Sequence, residues 1–108
     1  MGYNVIMTSR DEDHLRKAVR YLAVVLGNEQ AARSLKQSIQ QTIQFLEYGA
    51  GSLRFLTDPE LRKYGYKRIT IGKTRYFFVY RIEENTVWID AMFHEQQDYP
   101  NLFWDETY

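Results

Sequence analysis

The residues with the clearest chemical potential follow the last apolar run of the chain. The stretch TVWIDAMFHEQQDYPNLF, Thr86 to Phe103, passes from a run typical of a buried strand to His94, Glu95, two glutamines and Asp98. A histidine side chain exchanges its proton close to physiological pH, so His94 could act as a general acid or base at the rim of a site. An ordinary solvated strand end has the same composition, and both interpretations stand at this point.

A second chemical feature is the uneven distribution of charge, although 14 basic and 14 acidic residues give a net charge of zero. Residues 62–82 contain no acidic residue and seven basic ones: Arg62, Lys63, Lys67, Arg68, Lys73, Arg75 and Arg81. Residues 83–108 contain seven acidic residues and no basic one. The basic segment could bind a phosphate-bearing or acidic partner. It could equally pair with the acidic segment across adjacent strands.

The composition argues against several classes of function. The chain has no cysteine and only two histidines, so a disulfide framework is excluded and a transition-metal site is not expected. It also has no glycine-rich phosphate loop, and we predict neither a metal nor a cofactor. No apolar run reaches the roughly 18–20 residues that span a bilayer, and no secretion signal is visible at the N-terminus. We therefore predict a cytoplasmic protein.

The first half of the chain predicts a short strand followed by a helical hairpin. The apolar, β-branched run Tyr3–Thr8 is typical of a strand, and Ser9 fits the start of a capping box. Apolar residues then recur at three- or four-residue spacing on one helical face: Leu15, Val19, Leu22 and Leu26. Gly27 and Asn28 predict the end of this helix and the start of a second one, which continues to Gly49. So short a junction predicts two antiparallel helices.

The second half predicts a sheet. Three β-rich runs are separated by short turns: Tyr66–Ile71, Arg75–Glu83 and Val87–His94. They predict a three-stranded antiparallel meander packed as one sheet against the helices. At 108 residues, we expect a single α+β domain over residues 1–108.

Alternation along these strands predicts which side chains share a sheet face. In the third run one face carries Val87, Ile89, Ala91 and Phe93, and the other carries Trp88, Asp90, Met92 and His94. If Phe78, Tyr80 and Ile82 point toward the helices, the open face holds cations interleaved with aromatic rings: Arg68, Arg75, Arg81, Trp88 and His94. Such a face would suit a single-stranded nucleic acid. The alternative is that this face is a second core face, capped by the acidic C-terminal segment Asp98–Tyr108.

The order of elements and three local motifs resemble a known superfamily. The motifs are Tyr66–Gly72, a basic strand with a glycine turn, Arg75–Ile82, an arginine followed by an aromatic strand, and Ile89–His94 with the polar exit Gln97-Asp98. This pattern is similar to that of the RelE/ParE toxins of type II toxin–antitoxin systems. The resemblance implies a cognate antitoxin protein as partner. It also implies one of two outputs, because RelE- and YoeB-like members cut mRNA on the ribosome whereas ParE-like members poison DNA gyrase.

The resemblance assigns roles to individual residues. Arg75 matches the phosphate-clamping arginine of the nucleases, His94 matches a histidine of the YoeB-like branch, and Tyr99 matches a C-terminal tyrosine of the RelE type. These three would form the catalytic set. Phosphate binding would fall to the neighbouring cations Lys67, Arg68, Lys73 and Arg81. The match has departures: the second RelE-type lysine has no equivalent, and Glu95 lies where an arginine is expected.

The sequence therefore yields three hypotheses for function. The first is a toxin of the plasmid-stabilisation type that acts as a metal-free endoribonuclease, with the ribosome and mRNA as partners. The second is a ParE-like, non-catalytic inhibitor of DNA gyrase. The third is a degenerate member that retains only antitoxin binding. An acidic C-terminal segment weakens the ribosomal hypothesis, because ribosomal RNA repels acidic side chains.

Overall fold

The computed structural model describes residues 2–105 and 107. Met1, Glu106 and Tyr108 lie outside the described residues. The predicted domain, residues 1–108, and the predicted C-terminal segment, Asp98–Tyr108, include these positions. The strands are β1 Asn4–Met7, β2 Lys67–Thr70, β3 Tyr76–Glu83 and β4 Thr86–His94. The helices are α1 Ser9–Arg20, α2 Glu29–Gly49, α3 Pro59–Lys63 and α4 Tyr99–Leu102, with a π-helical turn at Tyr21–Val25 and a 3-10 turn at Ala50–Ser52.

The predicted helical hairpin is confirmed, with a different residue capping its first helix. Thr8, rather than Ser9, accepts the helix-start hydrogen bond, from the Asp11 amide at 3.2 Å. The Thr8 hydroxyl also donates to the Ile89 carbonyl at 3.1 Å, which ties the start of α1 to β4. Asn28 caps α2 as predicted, by accepting from the Ala31 amide at 3.0 Å. The hairpin therefore has a firm cap at the start of each helix.

The predicted antiparallel meander is also confirmed, and β1 extends it into a four-stranded sheet of order β1-β4-β3-β2. β1 pairs with β4 in the parallel direction and ends opposite Ile89. Beyond that point α1 covers the free edge of β4, where the Met92 amide donates to Nδ1 of His14 at 3.2 Å. The α+β class with helices against one sheet is therefore correct.

A β-bulge in β4 overturns the predicted assignment of sheet faces. Val79 pairs with Ala91 and Tyr80 pairs with Ile89, so Asp90 is an extra residue in β4. One extra residue moves every later side chain to the opposite face. The predicted common face of Val87, Ile89, Ala91 and Phe93 is therefore wrong: the first two pack toward the helices and the last two pack on the other face.

Both faces of the sheet are covered. One core lies under α1 and α2 and contains Phe78 and Tyr80 of β3, as predicted. A second core lies on the opposite face, and its members are Leu56, Leu61, Phe77, Val79, Ala91, Phe93 and Phe103. The predicted open face is thus closed, and the alternative of a second core face capped by the C-terminal segment is correct over its described residues. In the described part of the chain, no helix combines the length and apolarity needed to cross a bilayer.

Candidate functional site

The structure spreads the residues predicted for the site over separate places. Arg75 and His94 lie together at the corner where the helical hairpin meets the start of β3 and the end of β4. Tyr99 lies on the opposite face of the sheet, in edge-to-face contact with Phe77 at 5.3 Å between ring centroids. Lys73 is exposed in the turn between β2 and β3. Of the three residues assigned to catalysis by resemblance, two therefore lie together and the third lies across the sheet from them.

Arg75 and His94 share a cavity of about 810 Å³, which we call the hairpin groove. Apolar side chains dominate its lining, and its polar members include the buried His14. The lining includes Lys17, Tyr21, Leu22, Leu35, Met92 and Tyr76 besides Arg75 and His94. A volume of this size lies in the range of pockets that bind small molecules or the side chains of a partner.

Within the hairpin groove, His94 is fixed by the turn that follows β4. Its Nδ1 accepts a hydrogen bond from the Gln96 amide at 3.2 Å, so the neutral ring carries its proton on Nε2. Its ring meets the Tyr76 ring edge-to-face at 5.1 Å. The Arg75 side chain is 68% exposed, and its ion pair with Glu95 spans 3.7 Å. Among the described residues, this histidine and this arginine are the only predicted site residues that line the same cavity.

Two further predicted cations, Lys67 and Arg68, are committed to other contacts. The Lys67 ammonium is buried, donates to the Leu53 carbonyl and lies 3.9 Å from the centre of the Phe55 ring. The Arg68 guanidinium stacks on Phe77 of the second core, at 3.8 Å from the ring centre. Stacking on an aromatic ring and bonding to a carbonyl both hold a cation in place without a phosphate.

Arg81 is neutralised by carboxylates beside the bulge. Its Nε donates to the Asp90 carboxylate at 3.0 Å, and a second guanidinium nitrogen pairs with Glu83. Tyr66 joins this cluster: burial, assisted by the Asp90 charge, raises the pKa of its phenol to about 12. This arrangement matches the alternative in which basic and acidic segments pair across adjacent strands.

Sequence reasoning did not identify the buried polar residues of α1, Asp11 and His14. Asp11, in the first turn of α1, is fully buried, and neither of its carboxylate oxygens has a hydrogen-bond partner within the described residues. Burial, with smaller contributions from the charges of Asp90 and Glu12, raises its pKa to about 8. Asp11 is therefore mostly protonated at neutral pH. No local signal in the sequence distinguishes a buried aspartate from a solvated one in the first turn of a helix.

The tip of the helical hairpin also departs from the sequence prediction. Leu26 was expected on the buried face of the first helix, yet it is 56% exposed. Its neighbours Val24 and Val25 are 66% and 65% exposed. The π-helical turn at Tyr21–Val25 shifts the helical phase, so that Leu22 still packs against the core while the apolar side chains after it do not. We call Tyr21–Leu26 the hairpin tip.

Comparisons with known proteins agree with this architecture. The family model described as ParE toxin of type II toxin-antitoxin system, parDE, matches residues 5–99. A comparison with curated protein sequences gave no significant match. Among solved structures, a chain of the "Chromosomal ParDE TA system from P. aeruginosa" is similar in fold, with a TM-score of 0.68 and 15% identity, over 85% of this chain and 95% of that chain. The resemblance to the RelE/ParE superfamily is thereby confirmed, and the chain belongs to the ParE toxin family of type II toxin–antitoxin systems.

Proposed function

We propose that this toxin is a non-catalytic inhibitor of DNA gyrase, kept inactive by a cognate antitoxin protein. Membership of the ParE family supports the toxin role and the antitoxin partner, and gyrase is the target implied by resemblance to ParE-like members. The observation that carries the choice of mechanism is the separation of Tyr99 from Arg75 and His94 by the sheet. A protein that acts by binding does not require these groups to converge.

The requirements of RNA cleavage make this separation informative. A nuclease of this kind must deprotonate a ribose 2′-hydroxyl, stabilise charge on the phosphate and protonate the leaving oxygen, all within hydrogen-bond reach of one nucleotide. Arg75 and His94 could supply two of these roles. Lys67 and Arg81 hold other contacts already, and Tyr99 packs in the second core. The set is therefore incomplete around any single phosphate.

Ribosome-dependent mRNA cleavage is kept as the second candidate because of one observation. Arg75 and His94 line the same cavity, and Lys17 lines it with them. A phosphate bound there would meet two cations and one group able to exchange a proton. This candidate predicts that the toxin cuts transcripts at defined codons during translation.

The two candidates are separated by assays on the purified protein. Supercoiling of relaxed plasmid by gyrase is followed on agarose gels with increasing toxin. In parallel, a reconstituted translation reaction is followed by primer extension on its mRNA. The proposal predicts loss of supercoiling and intact transcripts, whereas new transcript ends with unaffected supercoiling would assign the nuclease function instead.

A further inference from the structure

The hairpin groove and the hairpin tip form one continuous surface. Tyr21, Leu22 and Leu26 line the groove, and Val24 and Val25 stand exposed beside them. Three consecutive aliphatic side chains that are each more than half exposed are unusual in a protein that stays free in water. The positive φ of Gly27, +62°, then turns the chain back into α2, so these side chains are displayed at the end of the hairpin.

Over the residues that the structure describes, the basic side chains that line the hairpin groove have no acidic counterpart within the lining. Lys17 and Arg75 line the hairpin groove, and no carboxylate does among the described residues that line it. Each of the two cations has an acidic neighbour outside the lining: Lys17 pairs with Asp13 at 2.9 Å, and Arg75 pairs with Glu95 at 3.7 Å. These pairs are solvent-exposed and therefore weak, so an incoming carboxylate can replace them at little cost.

We propose that this surface is the contact through which the toxin binds gyrase, and that it takes an acidic protein segment with an apolar stripe. This inference rests on the proposed function. Aliphatic side chains of the partner would fill the groove over Leu22 and Leu35, while its Asp or Glu side chains would pair with Lys17 and Arg75. A largely apolar floor with two rim cations fits the core-and-rim pattern of a protein interface.

The same observations argue against nucleic acid as the occupant. Binding to a strand of DNA or RNA requires several cations along the backbone and rings that stack on bases. The exposed side chains of the hairpin tip beyond Tyr21 are aliphatic, and aliphatic groups supply neither contact. Arg68 and Arg81, which could have extended a basic track, belong to the opposite face of the sheet.

The chain offers a closely matched pair of charge variants for the test. Lys17 and Arg16 are adjacent on α1, both pair with Asp13, and their side chains are 66% and 68% exposed. Only Lys17 lines the hairpin groove. Lys17→Glu and Arg16→Glu therefore change the net charge equally and disturb the same ion-pair partner. For the apolar contact, Leu26→Ser is compared with Tyr48→Ser, since Tyr48 is 77% exposed on α2 and lies outside the groove.

The experiment measures binding of the full-length toxin to the gyrase holoenzyme without DNA, by titration calorimetry, together with inhibition of supercoiling. We expect Lys17→Glu and Leu26→Ser each to weaken binding by about tenfold, as the loss of a contributing interface side chain does. Arg16→Glu and Tyr48→Ser should change it by less than about twofold, as side chains outside an interface do. Thermal melting of each variant confirms that it is folded.

Other outcomes overturn the inference in distinguishable ways. If the parent chain inhibits gyrase and all four variants bind as it does, the contact lies elsewhere and only this inference fails. Binding that requires DNA and is lost in Lys17→Glu but not in Leu26→Ser would assign the groove to nucleic acid. Self-association of the parent chain that Leu26→Ser abolishes would assign it to a second copy. If the parent chain neither binds nor inhibits gyrase, the proposed function fails and the inference fails with it.

Discussion

Replacing Asp11 with asparagine should make the protein more stable at neutral pH. The Asp11 carboxyl is buried in the first turn of α1 without a hydrogen-bond partner among the described residues, and its pKa is raised to about 8. In the unfolded chain the same carboxyl is ionised at pH 7. Folding at neutral pH must therefore take up a proton, which costs free energy. Asparagine has nearly the same shape and carries no charge in either state.

The size of this effect follows from the pKa values. The cost is about 1.4 kcal/mol for each of the roughly three pH units between 3.8, the ordinary aspartate value, and pH 7, or about 4 kcal/mol in all. The buried amide of asparagine would also lack hydrogen-bond partners, and its desolvation destabilises the variant by about 1–3 kcal/mol. Asp11→Asn should therefore raise the free energy of unfolding at pH 7 by about 1–3 kcal/mol.

The pH dependence gives the sharper test. A folded-state pKa raised above the unfolded value contributes stability that is complete below about pH 3.8 and is lost as pH rises through about 8. Near pH 4 the proton-uptake cost has almost vanished and only the desolvation of the amide remains, so Asp11→Asn should be less stable than the parent there by about 1–3 kcal/mol. The stability of the variant relative to the parent should then rise toward pH 8. Urea denaturation of both proteins, followed by circular dichroism at several pH values between 4 and 9, measures this difference.

Asp13→Asn is the matched control for this experiment. Asp13 lies on the same helix, and its hydrogen bond to Lys17 lowers the pKa of its carboxyl. Its contribution to stability is therefore present above the unfolded pKa and lost in acid, so Asp13→Asn should be neutral or slightly destabilising at pH 7. An Asp11→Asn protein that is less stable than the parent at pH 7, or a difference that does not change with pH, would refute the reasoning on Asp11.

Three further predictions test the packing and the mechanism. Gly72→Ala should cost at least about 1 kcal/mol in urea denaturation, because Gly72 has a φ of +55° and an added Cβ would lie 2.9 Å from Oγ of Ser38; an unchanged midpoint would contradict it. Phe103→Ala should cost about 3–5 kcal/mol in the same assay, since this ring closes the second core and lies 5.0 Å from the Arg10 guanidinium; a loss below about 1 kcal/mol would mean that the C-terminal segment is not part of that core. Tyr99→Phe should leave growth inhibition on induction unchanged, because its ring packs on Phe77 and the proposed mechanism does not use its hydroxyl. A folded Tyr99→Phe protein that no longer inhibits growth would favour the nuclease.

The elements of this fold could be predicted because their signals are local. Asn28 and the glycine after the first helix specify the hairpin whatever surrounds them. The short turns between the β-rich runs likewise fix the antiparallel meander. The parallel pairing of β1 with β4 could not be read in this way, because it joins residues about 80 positions apart and depends on how the helices pack.

The arrangement of the candidate site could not be predicted, for a physical reason. A single bulge at Asp90 decides which face Met92 and His94 occupy, and a β-bulge has no reliable signature in one sequence. The available clue was in β3, where Phe77 and Val79 alternate with Phe78 and Tyr80. A strand that is apolar on both sides is buried on both faces, and this indicates a second core instead of an open binding face.

Burial of charge was likewise invisible in the sequence. The seven basic residues of 62–82 allowed two interpretations, a surface for a polyanion or pairing with the acidic segment, and the sequence did not decide between them. In the fold, Lys67 is buried against a carbonyl and Arg81 is paired with two carboxylates. Each of these contacts depends on the three-dimensional neighbour and not on the residue type. A run of like charge along a chain therefore predicts a charged surface only when the partners of each residue are known.

The most direct test of the central claim is gyrase supercoiling in the presence of the purified toxin, with primer extension on translated mRNA in the same preparation. Binding without catalysis predicts that supercoiling falls with toxin concentration toward a stoichiometric end point while transcripts keep their original ends. Codon-dependent transcript cleavage that disappears in Arg75→Ala, with supercoiling unaffected, would contradict it.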